Sequence, residues 1–179
     1  MPSRFEREGI FVLYWKKRLF RGAGRKMAIE IEPAYENIGE IKELFKEYAE
    51  MLGIDLGFQN YEEELKRLPG KYAPPGGRLY IARCGGMPAG CIALRPIDPE
   101  RCEMKRLYVR PAFRKMGLGR TLAQKVIADA RDIKYRHMLL DTLTTLADAV
   151  RLYRSLGFYE TEPYYNNPFP ETVYFRLDL

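Results

Sequence analysis

Arg114-Lys115-Met116-Gly117-Leu118-Gly119-Arg120-Thr121 joins two stretches of opposite character. Before it, Cys102 to Val109 (CEMKRLYV) reads as a strand. After it, Leu122, Val126, Ile127 and Ala130 recur at helical spacing between Thr121 and Ile133. Strand alternation puts Glu103, Lys105, Leu107 and Val109 on one side and Met104, Arg106 and Tyr108 on the other. Glycines two apart let the chain pass close to a ligand, and the helix start behind them leaves N–H groups and a partial positive charge facing the same place. The loop therefore reads as a pyrophosphate cradle, with Arg114, Lys115 and Arg120 as mobile cations around it. Two other phosphate loops fail here. No GxxxxGK precedes a Ser or Thr, and Leu122 stands where a dinucleotide fingerprint needs Gly or Ala.

Outward from the loop, the chain predicts strands over residues 28–32, 78–83, 89–95, 102–109, 138–142, 158–165 and 172–179. Helices are expected over 38–52, 61–68, 121–133 and 147–156. Ile38, Ile41, Leu44, Phe45, Tyr48 and Leu52 form the apolar face of the first helix, and Gly53 is its natural stop. The stretch KYAPPGG, 71–77, is a loop, because prolines and glycines at that density sustain no regular element. The order βααβββαβαββ implies an α/β (α+β) architecture with a mixed sheet. The unit running from CEMKRLYV through the helix to MLLDT favours a right-handed parallel crossover, and short connections elsewhere favour antiparallel neighbours.

The 179 residues suffice for one domain with a genuine core, and 46% hydrophobic with 30% charged residues is ordinary globular composition. Residues 1–27 hold eight of the 30 basic groups and two of the 24 acidic ones, so they carry the whole net charge of +6. The body, 28–179, is neutral and offers no nucleic-acid-binding face; the basic extension has no assigned role. The longest apolar run, Ile10 to Trp15, is far short of a membrane span. Cys84, Cys91 and Cys102 lack CxxC spacing, which argues against a disulfide framework or structural zinc and for a reducing cytoplasm. His137 is the only histidine, and neither Ser3 nor Ser155 lies in a GxSxG elbow, so serine-hydrolase and HExxH zinc chemistry lack their parts and no metal is expected. His137 itself reads as an ordinary residue at a strand start.

Arg114, Gly117 and Gly119 fit the pattern R/Q-x-x-G-x-G/A, and ADAVRLYRSLGF, 147–158, fits A-x-x-L-Y-x-x-x-G-F. These two motifs, in this order, resemble the GNAT superfamily of N-acetyltransferases, and the likeness covers most of residues 28–179. It implies a central sheet of about seven strands, helices on both faces, and a splay between strands 4 and 5. It also implies acetyl-CoA as cosubstrate, gripped by residues 114–121 (Arg114, Lys115, Met116, Gly117, Leu118, Gly119, Arg120 and Thr121). The pantetheine arm would bond to main-chain groups of Leu107, Tyr108 and Val109, with the Leu107 N–H aimed at the thioester oxygen. Leu146 departs from the pattern, since many members carry asparagine there and leucine cannot supply its hydrogen bond.

The reaction implied is transfer of an acetyl group to a primary amine by direct attack in a ternary complex. An ammonium must lose a proton before it can attack, and Glu103 matches the family's glutamate base, acting directly or through water. In apolar sheet surroundings its pKa would be raised. Tyr153 matches the general acid that protonates the departing thiolate. The acceptor pocket would form from residues 45–59 and 164–171, where Tyr164, Tyr165, Asn166 and Asn167 make an aromatic, amide-rich rim without an acidic cluster. That favours a small-molecule amine or amino-acid-like acceptor, with a homodimer left open. The alternative is a non-catalytic acyl-CoA-binding module that keeps the cradle and lacks the acid and base.

Overall fold

Ile41, Leu44 and Phe45, three and four residues apart, are fully buried on the inner face of helix α1 (Ile38–Leu52), and Gly53 closes that helix at φ 65°. The computed structural model describes residues 28–179; the basic extension 1–27 lies outside the described residues. Three further helices follow: α2 (Tyr61–Arg67), α3 (Leu118–Ile133) and α4 (Ala147–Ser155). The strands are β1 (Ile29–Pro33), β2 (Arg78–Cys84), β3 (Met87–Pro96), β4 (Arg101–Val109), β5 (His137–Leu143), β6 (Tyr159–Thr161) and β7 (Thr172–Asp178). They form a seven-stranded sheet in the order β1-β2-β3-β4-β5-β7-β6. The β4–β5 pair is parallel and the others are antiparallel, as the expected crossover through α3 requires.

The sheet is covered on both faces. Leu79, Ile81, Cys91 and Ala93 pack with α1 and α2 on one side; Ile92, Leu94 and Met104 pack with Leu122 and Val126 of α3 on the other. β2 and β3 alternate their apolar residues between these two cores, so they read as nearly continuous apolar runs.

β4 departs from regular geometry on both edges. Its register with β5 ends at Glu103↔Leu139, so Met104 to Val109 have no strand partner on that side. On the other edge the register with β3 passes from Ala93↔Lys105 to Cys91↔Tyr108, which leaves an extra residue in β4. This is a β-bulge, and Arg106 occupies it with φ 57°. A bulge bends and twists its strand, and here it leads β4 away from β5. Gly90 of β3 makes the bulge possible, since a Cβ there would lie 2.4 Å from the Tyr108 carbonyl oxygen.

The bulge overturns the expected alternation. Beyond Arg106 the sides exchange, so Leu107 and Val109 join Met104 against the α3 core, and Tyr108 joins the α1 core. A single inserted residue reverses everything downstream in a period-two element. Two boundaries also differ by three residues or more. Helix α3 begins at Leu118, three residues early, because Gly117 caps it at φ 83°. Strand β6 stops at Thr161 instead of 165, since Pro163 offers no ladder donor and Tyr164 and Tyr165 turn to side-chain partners.

Candidate active site

A cavity of about 740 Å³ runs along the unpaired edge of β4. Two helix N-termini border it, Leu118 to Arg120 of α3 and Ala147 to Ala149 of α4. Both present N–H groups that no carbonyl of their own helix can satisfy. At Gly117 a Cβ would meet nothing within 4 Å, so the glycine is required by its φ of 83° and the space beside it stays open. Lys115 shares the left-handed conformation at φ 65°. Arg114 is steadied by its Nε bond to the Val109 carbonyl at 3.1 Å, and Arg120 by Nη2 to Ser155 Oγ at 2.7 Å.

Of the residues expected to hold a cofactor, Leu107, Tyr108, Val109, Arg114, Lys115, Gly117, Leu118, Gly119 and Arg120 line this cavity. Met116 and Thr121 do not. Met116 is 39% exposed on the loop, and the Thr121 hydroxyl folds back to the Gly117 carbonyl at 3.2 Å. Leu107 lies beside the bulge and has no register partner on β3 or β5. Leu146 lines the cavity as the N-cap residue of α4, and its side chain makes no capping bond.

Tyr153 lines the cavity, packed edge-on against Phe158 with ring centres 5.8 Å apart. Burial pushes its phenol well above the ordinary value, so it holds its proton across the physiological range. Glu103 is placed differently from expectation. It is fully buried, off the cavity wall, and its surroundings are polar: Arg95 Nε donates to Oε2 at 2.5 Å, Tyr164 OH to Oε1 at 2.8 Å, and Lys105 Nζ stands 3.3 Å from Oε1. The apolar environment expected for this carboxylate is therefore not found, because the loop after β6 and strand β3 both send polar side chains to it.

Two carboxylates line the cavity: Asp148 in the first turn of α4, paired with Arg151, and Asp141 of β5. Lys105 Nζ lies 3.3 Å from its Oδ1, and Tyr165 OH donates to its Oδ2 at 2.9 Å. The Tyr165 hydroxyl in turn accepts from Gln59 Nε2 at 3.2 Å and Asn167 Nδ2 at 2.9 Å, which commits its proton to Asp141. Burial, then the Asp141 charge, raises the Tyr165 pKa and keeps that proton in place. Lys105 thus joins a carboxylate at the cavity to one behind the wall. Sequence reading pointed to Tyr164, Tyr165 and Asn167 but passed over Asp141; an aspartate closing the apolar run MLLD, just past the point where β5 loses β4, was the available signal. His137 sits at the start of β5 with Nδ1 2.8 Å from Asp178 Oδ1, an ordinary surface pairing.

Arg106 is only 4% exposed and clamps the bulge from below. Its Nε and Nη2 donate to the two carboxylate oxygens of Glu64 on α2, at 2.9 and 2.6 Å, and its guanidinium carbon lies 5.2 Å from the Tyr61 ring centre. Tyr72 OH donates to the same Glu64 at 2.8 Å. Burial alone would raise the Glu64 pKa, but the bonds and charge of Arg106 outweigh it and hold the carboxyl below its ordinary value.

A strand edge opened beside two helix N-termini has the geometry and partial charge to take an extended ligand with an anionic end against the sheet. Comparison with known proteins makes the class specific. Residues 28–158 match the acetyltransferase (GNAT) family. An uncharacterized N-acetyltransferase of Schizosaccharomyces pombe is 47% identical over 146 residues, covering 80% of this chain and 90% of its own length. Among solved structures, an acetyltransferase from Streptococcus agalactiae superposes with a TM-score of 0.70 at 21% identity, covering 84% of this chain and 98% of that one. A GNAT family acetyltransferase from Elizabethkingia anophelis, with acetyl-CoA bound, gives a TM-score of 0.60 at 21% identity, covering 86% and 100%. The chain belongs to the acetyltransferase (GNAT) family and is an acyltransferase. No helix among the described residues is long and apolar enough to cross a membrane.

Proposed function

We propose that this chain moves an acetyl group from acetyl-CoA to the nitrogen of a primary amine, by direct attack within a ternary complex. The observation that carries this reading is the parting of β4 from β5 after Glu103↔Leu139, which opens a cavity bounded by two helix N-termini and the Asp141 carboxylate. The acetyl-CoA bound in the Elizabethkingia relative supports the choice of cosubstrate. In this reading residues 28–179 act as one transferase domain, and the three buried, unpaired thiols accord with a cytoplasmic location.

Acetyl-CoA supplies the acetyl group as a thioester. The N–H groups from Gly117 to Arg120, with Arg114, Lys115 and Arg120, hold its diphosphate. The main chain of Leu107, Tyr108 and Val109 replaces the missing β5 contacts with bonds to the pantetheine arm. The Leu107 N–H meets the charge that grows on the thioester oxygen, a contribution of about 3 kcal/mol for one such donor. As the amine nitrogen bonds to the carbonyl carbon, the carbon–sulfur bond breaks and Tyr153 gives its proton to the departing thiolate. The amine's own proton leaves toward Asp141, the carboxylate within reach. Glu103, behind the wall, takes that proton onward by way of Lys105 or an intervening water.

Free-thiol release from acetyl-CoA with a panel of primary amines tests the reaction. Tyr153→Phe should slow turnover about tenfold to a hundredfold, the low end for acid catalysis because a thiolate leaves readily. Asp141→Asn and Glu103→Gln separate the two carboxylates. A base role for Glu103 predicts that both variants shift the acidic limb of the rate–pH profile. A pure supporting role predicts that Glu103→Gln lowers the rate without moving that limb. No amine-dependent thiol release from folded wild-type protein would refute the proposal.

A further inference from the structure

Among the described residues, the part of the cavity away from the loop before α3 offers the Asp141 carboxylate and no uncommitted cation; Asp148, the other carboxylate on the wall, lies in the first turn of α4 and pairs with Arg151. Asp141 accepts two hydrogen bonds, from Lys105 and Tyr165, whereas a carboxylate has about four lone-pair sites. It therefore keeps room for an incoming N–H donor. The two cations nearby are spent. Lys105, 7% exposed, lies between Asp141 and Glu103, and Arg106 is locked to Glu64. The other cations on the wall, Arg114, Lys115 and Arg120, belong to the loop before α3 and its first turn. On the α1 side the wall is apolar, formed by Tyr48, Leu52, Ile54 and Leu56.

We infer that the acceptor is a primary amine with an apolar body and no carboxylate beside its nitrogen. This rests on the acetyl-transfer reading and narrows it. The ammonium docks on the free lone pairs of Asp141, and the hydrocarbon part lies against the α1 wall. An α-amino acid would bring its carboxylate two bonds from that nitrogen, hence next to Asp141, where it meets like charge and, among the described residues, no available guanidinium or ammonium. Burying such a group unpaired is costly. Of the amide-bearing rim residues, Asn167 is engaged at both ends, with Tyr165 and with the Phe169 N–H, whereas Gln59 donates to Tyr165 through Nε2 and its buried Oε1 has no partner among the described residues, a second acceptor for an ammonium and none for a carboxylate.

Matched acceptors differing only in the carboxylate test this: 2-phenylethylamine against phenylalanine, and hexylamine against 2-aminohexanoate, each followed by thiol release from acetyl-CoA. The expected result is a kcat/KM at least tenfold higher for each amine, with the difference mainly in KM. Equal or better turnover of the amino acids would overturn the inference while leaving acetyl transfer intact. Thiol release with neither set would overturn both. A second variant keeps the test sharp. Leu52→Lys places a cation at the C-terminal turn of α1, where the helix has none and its dipole favours one. It should narrow the preference by raising activity toward the amino acids, and an unchanged ratio in a folded variant would count against the charge argument.

Discussion

Replacing Glu64 by leucine removes the partner of a guanidinium whose side chain is 2% exposed, while the carboxylate itself is 15% exposed. Water cannot reach Arg106 to compensate, and the Tyr48 and Tyr61 rings at 6.0 and 5.2 Å replace little of the lost attraction. Breaking a buried pair from one side costs about 3–5 kcal/mol, and removing both charges costs far less. Glu64→Leu should therefore destabilise the fold by that amount. Arg106→Met should cost somewhat less, because Glu64 keeps its bond from Tyr72. The double variant should recover at least about 2 kcal/mol relative to the sum of the singles. Urea unfolding followed by circular dichroism measures all three. In the surviving folded fraction, kcat should fall by up to about a hundredfold, since the bulge that Arg106 anchors orients Leu107 and an oriented donor is worth about 3 kcal/mol. Strictly additive single effects, or a cost below about 1 kcal/mol for Glu64→Leu, would refute the clamp.

The same pair sets a pH dependence. The Glu64 carboxyl is held below its ordinary value of 4.5, so the folded state binds fewer protons than the unfolded state near that pH. Its contribution is present above about pH 4.5 and lost as pH falls through the lower folded value, and acid titration of stability should be shallower in Glu64→Leu. Gly90→Ala would set a Cβ 2.4 Å from the Tyr108 carbonyl oxygen; the strands must part, at a cost of about 1–3 kcal/mol, with a measurable drop in the unfolding midpoint. Gly117→Ala meets no clash but must hold φ 83°, a strain of about 1 kcal/mol, and acetyl-CoA affinity by calorimetry should fall about fivefold or more as the loop relaxes. Leu146→Asn supplies the missing cap at α4 and should stabilise the protein by about 1 kcal/mol, read as a higher Tm.

The sequence was legible wherever a residue's role depended on near neighbours. The apolar stripe of α1, its Gly53 stop, the parallel crossover and the Gly117 turn all follow from local pattern, and each is present. The bulge was not legible, because nothing in CEMKRLYV marks the extra residue; its cause lies on other elements, in Gly90 of β3 and Glu64 of α2. The reversed sides of Leu107 and Tyr108 followed from that one omission. The surroundings of Glu103 were misread for a similar reason. Its neighbours in sequence suggested a strand residue in apolar surroundings, and its neighbours in space are Arg95, Lys105 and Tyr164, drawn from two strands and a distant loop.

Amide hydrogen exchange, read residue by residue with and without saturating acetyl-CoA, tests most directly whether the opened edge of β4 holds a thioester cofactor. The account predicts slowed exchange at Leu107 and Val109 and at the N–H groups of Leu118 to Arg120, with little change in β1 and β2. Saturating cofactor that leaves those amides unchanged, or that protects a different surface, would contradict it.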